Sequence, residues 1–124
     1  MSAQLLSTMD VRKVGARDWQ FTAPMIILVV LDGVSYLIRV PNGFVTDFAS
    51  VPRIPLAFWL FGGIGDYGAA SHDWLYTVAE YPREVCDAIY REILVCIDGT
   101  SSLRADLMHA GVRLGGESHY GRKP

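Results

Sequence analysis

His72 and Asp73 stand side by side in the stretch SHDWLY, residues 71–76, and a further carboxylate, Asp87, follows in REVCDAIYREIL, residues 83–94. A carboxylate on one ring nitrogen of an imidazole fixes its tautomer, and the other nitrogen can then act as a base. The chemistry open to such a pair is general acid–base catalysis. A second set lies upstream in GFVTDFASVPR, residues 43–53, where Asp47 sits between two aromatics and Arg53 closes the stretch. Asp47 and Asp73 offer hard oxygens suited to a divalent cation, with backbone carbonyls of the Gly62-Gly63-Ile64-Gly65 loop as further ligands. A plainer reading stands beside each. A buried His72 can simply bond a backbone carbonyl. Asp47 can cap a turn through its own backbone or hold Arg53. Asp87 can pair with Arg83 one turn earlier, at the surface.

Helices must position these side chains. At about 100° per residue, His72 shares a face with Gly68, Leu75, Tyr76 and Ala79, while Asp73 points about a quarter-turn away. The pattern predicts a helix from a cap at Asp66 to about Ala79. A second helix is expected from Pro82 in its first turn to about Ile97. Its apolar face carries Cys86, Ile89, Tyr90, Ile93 and Ile97, with Asp87 at the edge. The short connection through Glu80 and Tyr81 makes the two helices antiparallel neighbours, which brings Asp87 toward His72. A third helix, capped by Thr100 or Ser101 and ended by Gly115, gathers Leu103, Leu107, Ala110 and Leu114 on one face. Its Asp106 and His109 read as a solvated face.

The N-terminal half reads as strands. Residues 19–22 and 25–31 are extended, Asp32-Gly33 is a two-residue hairpin turn, and residues 34–40 form the returning strand. Leu37 breaks the alternation of that strand, so cover on both faces is expected. Pro52 and Pro55 exclude regular helix or central strand around them. Strands followed by helices define an α+β fold, a small antiparallel sheet or hairpin packed on about three helices. One domain is expected over residues 17–115, with an arm or edge strand at 1–16 and a mobile tail at 116–124.

Of the 124 residues, 51% are apolar, enough for a hydrophobic core, and the net charge of −2 leaves no footprint for nucleic acid. No apolar run reaches the roughly 20 residues of a membrane span. The first ten residues lack a secretory pattern, so synthesis in the cytoplasm is expected. Cys86 and Cys96 share one helix at a separation beyond disulfide reach, so both are expected as buried free thiols.

VPNGFVTDFASVPR (residues 40–53), AASHDWLY (69–76) and REVCDAIYREIL (83–94) resemble the successive motifs of domain-of-unknown-function family 1353. That resemblance implies a bacteriophage or prophage origin, hence a host-cytoplasmic or virion location and partners among virion or tail proteins; it implies no assigned activity. His-Asp-x-x-Tyr followed by an aspartate on the next antiparallel helix is also similar to the core of the secreted phospholipases. By that similarity His72 would be the base, Asp73 a calcium ligand, Asp87 the orienting acid and Tyr76 a buttress, with Gly62, Gly63 and Gly65 near the ion. Two functions follow as expectations. One is a metal-assisted hydrolase acting on a lipid or cell-envelope ester or amide. The other is a non-enzymatic virion component whose polar cluster is a buried network.

Overall fold

A computed structural model describes residues 1–48 and 66–121. Six strands occupy the first part: β1 (Ser2–Leu5), β2 (Val11–Lys13), β3 (Trp19–Phe21), β4 (Met25–Leu31), β5 (Val34–Val40) and β6 (Val45–Thr46). Three helices follow: α1 (Asp66–Val78), α2 (Arg83–Cys96) and α3 (Ser102–Gly115), with a 3₁₀ turn at Glu117–His119. The strands form two three-stranded antiparallel sheets, in the orders β1-β4-β5 and β2-β3-β6. The architecture is α+β, as expected.

The hairpin turn has the backbone its sequence demands. Asp32 and Gly33 both have positive φ, 48° and 78°, the pairing that matches the twist of a two-residue hairpin. Leu31 thereby faces Val34 and the register runs on to Met25 opposite Val40. Met25, Ile27 and Val29 of β4 and Ile38 and Val40 of β5 turn inward and are buried. Leu37 departs from expectation. It points out of the opposite face and is 59% exposed, because alternation about Ile38 leaves it no inward option.

Helix α2 is the centre of the helical layer. It packs on β1 and β4 and lies between α1 and α3. Its Cys86, Ile89 and Ile93 join the sheet's core, while Tyr90 and Leu94 face Ala105, Met108 and Val112 of α3. Cys86 is buried as expected, but Cys96, in the last turn of α2, is exposed. Among the described residues no helix is long and apolar enough to cross a membrane.

The helix ends report how local signals competed with distant ones. Ser101 caps α3 by accepting from Arg104 N, and Pro82 stands at the N-cap of α2. Asp66, expected to cap α1, is instead its first residue. The amides of Tyr67 and Gly68 donate to the carboxylate of Asp98, at 3.0 and 2.8 Å, from just beyond the end of α2. Gly68 permits that approach, since a Cβ there would lie 2.9 Å from Leu94 Cδ2. At the other end Ala79 leaves α1 in the left-handed region (φ 49°).

Helix α3 presents Ala105, Met108 and Val112 to the core. Its leucines at 103, 107 and 114 lie on the outer side. Beyond α3, Gly121 N donates to Tyr76 O at 2.7 Å, and the Tyr120 hydroxyl donates to Tyr81 O.

Candidate functional site

The antiparallel pairing of α1 and α2 places His72, Tyr76 and Asp87 in contact. His72 Nε2 lies 2.7 Å from Asp87 Oδ1, and the Tyr76 hydroxyl donates to the same oxygen at 2.6 Å. Asp87 is fully buried and His72 is 5% exposed. The imidazole is held between two phenol rings, with centroids 4.0 Å from Tyr76 and 4.8 Å from Tyr90.

Two arginines complete the cluster. Arg113 of α3 donates from Nη1 to Asp87 Oδ2 at 2.8 Å. Arg83 is not the simple surface partner of Asp87; its Nε lies 4.0 Å from Oδ2 and donates to the Tyr76 hydroxyl at 3.0 Å. Its Nη2 donates to Val112 O and Arg113 O, carbonyls of the last turn of α3. A cation at a helix C-terminus is favourable, and here it also sets the rotation of α3. With Arg113 turned to Asp87 and Val112 held by Arg83, Met108 and Val112 face α2 and the leucines cannot.

The electrostatics follow from burial against these partners. Burial pushes the Asp87 carboxyl up, but hydrogen bonds from His72, Tyr76 and Arg113 outweigh it and hold it below the usual carboxylate range. Burial lowers His72 despite the opposing pull of Asp87, so the imidazole is neutral at neutral pH. An ionised carboxylate only accepts, so Nε2 carries the ring proton and Nδ1 is left as the basic nitrogen. The Cys86 thiol, beside this cluster, is pushed up to about 12 by burial and by the charge of Asp87, which leaves it unreactive.

Asp73 faces the other way, toward the segment around β6. The Thr46 hydroxyl favours its ionised form, and Asp47 lies within electrostatic range of it. Trp74, next in the chain, packs edge-on against Phe44 at 5.1 Å and fixes α1 to this strand. Phe48 occupies the left-handed region (φ 57°), with its amide bonded to Thr46 Oγ1 at 3.1 Å. A non-glycine residue held there stores backbone strain, which concentrates at functional sites. Arg53, Gly62, Gly63 and Gly65 lie outside the described residues.

Burial, reinforced by Asp47, pushes Asp73 up to about 6. Such a group favours the folded state when protonated, and that contribution is lost as pH rises through the folded value. Asp73→Asn, measured with a chelator present, should therefore be more stable than wild type by about 1–2 kcal/mol near pH 8, after discounting for partial exposure. The difference should close below about pH 4. Denaturant titrations at the two pH values check this.

A family model described as a protein of unknown function, DUF1353, matches residues 19–112. The chain belongs to the DUF1353 family. No curated protein and no solved structure matches it. The DUF1353 match runs from β3 to the last turn of α3, so it takes in Asp47, His72, Asp73, Tyr76, Arg83 and Asp87. Arg113 falls one position beyond it. Arg113 is also the member of the cluster that the sequence did not reveal, because no spacing rule links a residue on α3 to one on α2. Among the described residues of this DUF1353 chain there is no group of three or more histidine, cysteine, aspartate or glutamate side chains placed to hold a metal.

Proposed function

We propose that this chain is a hydrolase of bacteriophage or prophage origin, acting on an ester or amide of a lipid or cell-envelope substrate. The observation that carries this reading is the shared oxygen Oδ1 of Asp87. It accepts from His72 Nε2 and from Tyr76, which fixes the imidazole's tautomer and ring plane. In this reading Asp87 orients His72, and His72 Nδ1 takes a proton from water as it attacks the substrate carbonyl. Asp73 and Asp47, within electrostatic range of each other, would offer a hard cation two carboxylates. Asp73 and Asp47 would hold a divalent ion, calcium by analogy with the secreted phospholipases, and main-chain carbonyls or water would complete the shell. Such an ion, when bound, supplies polarisation of the carbonyl oxygen.

The test combines binding with turnover. Calcium or magnesium should raise the melting temperature of wild type and not of Asp73→Asn, by mass action. His72→Gln should stay folded, with a cooperative melting transition, and lose hydrolysis of phospholipid vesicles or envelope esters. Absence of any ion-dependent shift would remove the metal from the reading. Absence of turnover on those substrates would remove the reaction.

A second reading has its own support. Arg83 and Arg113 clamp Asp87 and Tyr76 to the C-terminal turn of α3, so the cluster joins three helices. A virion or tail-associated assembly protein would use it as a buried polar network. Under that reading His72→Gln and Asp87→Asn would act only by unfolding the chain.

A further inference from the structure

Helix α3 is apolar on two opposite faces. Ala105, Met108 and Val112 are buried against α2. Half a turn around the helix lie Leu103, Leu107, Ala110 and Leu114, all exposed; the leucines retain 71%, 50% and 89% of their surface. A helix apolar on both sides is normally covered on both. The outer stripe has the 4-3-4 spacing of a coiled-coil seam, while the inner face already has its partner within the chain.

We propose that this outer stripe is where a second copy of the chain docks, with its α3 antiparallel to the first across a two-fold axis. The spacing reads the same in both directions about the midpoint between Met108 and His109. An antiparallel copy therefore sets Leu103 against Leu114 and Leu107 against Ala110, large beside small, in reciprocal layers. A parallel copy would stack Ala110 on Ala110 and leave a gap in the seam.

Charge along one flank selects the same orientation. Asp106 and Arg113 lie on the same side of the stripe, and Asp106 is 60% and Arg113 32% exposed at the side chain. Antiparallel pairing brings each Asp106 within about one helical turn of the copy's Arg113, and keeps the two copies of Arg113 further apart. Internal bonds from Asp106 to Arg91 and from Arg113 to Asp87 hold both side chains in place on that flank. One helix pair buries less than the roughly 800 Å² per partner of a standard stable complex, so the dimer is weak and concentration-dependent.

Sedimentation velocity on the full chain, from micromolar to near-millimolar concentration, tests this. Wild type should pass from monomer to dimer, and Leu107→Glu or Leu114→Glu should weaken association by about tenfold or more. Circular dichroism and melting at low concentration should match wild type, since both positions are exposed. In a Cys96→Ser background, mixing the Leu103→Cys and Leu114→Cys variants should give the mixed disulfide in preference to either symmetric one. A wild type that stays monomeric throughout, a dimer indifferent to both glutamates, or a preference for the symmetric disulfide between two Leu103→Cys chains would overturn the proposal.

Discussion

Asp87→Ala should lower the free energy of unfolding by about 3–5 kcal/mol, a large share of the stability of a domain this size. Asp87 is fully buried and accepts from His72 and Tyr76 through Oδ1 and from Arg113 through Oδ2. Alanine would leave three donors facing a cavity, one of them a partly buried guanidinium, and unpaired buried donors are more costly than the net value of the bonds they lose. The last turn of α3 would also lose part of its anchorage. Asp87→Asn keeps the shape but must set its own amide hydrogens against one donor, so its effect should be smaller in size and the same in sign. Urea titration at neutral pH measures both.

The pH dependence of that loss follows from the direction of the shift. The Asp87 carboxyl is held below its ordinary value, so its contribution is present above the unfolded value of 3.8 and is lost as pH falls through the folded one. The gap between wild type and Asp87→Ala should be widest near neutrality and narrow in acid.

Gly116→Ala should cost about 1–3 kcal/mol, although Gly116 sits at φ −84°, where alanine is at ease. The cost is steric. A Cβ at this position would lie 2.5 Å from Val112 O and 2.8 Å from the Tyr76 hydroxyl. That hydroxyl cannot withdraw freely, since it donates to Asp87 and accepts from Arg83. The substitution therefore reaches the site through the helix end that covers it. A neutral outcome on denaturant unfolding would mean that Tyr76 is not tied to Asp87 as described.

Much of this arrangement was legible locally. Asp32-Gly33 specified the hairpin, and Pro82, Ser101 and Gly115 marked helix ends, because turn and cap chemistry acts over a few residues. The approach of Asp87 to His72 followed from two helical faces and a short connection. What the sequence hid were contacts between distant segments. Asp98 took the capping role expected of Asp66, from 30 residues away. Arg113 and Arg83 together rotated α3 so that its leucine stripe faces outward. The edge-on packing of Trp74 on Phe44 depended on how the segment around β6 docks on α1, which no periodicity encodes.

Burial keeps His72 a neutral imidazole, and Asp87 fixes its proton on Nε2. Nitrogen-15 correlation spectra of the His72 ring measure this directly. A single tautomer is expected, protonated on Nε2 and bare on Nδ1, that stays neutral as pH falls through the ordinary histidine value of 6.5. A ring protonated on Nδ1 alone, or one already doubly protonated at neutral pH, would contradict it.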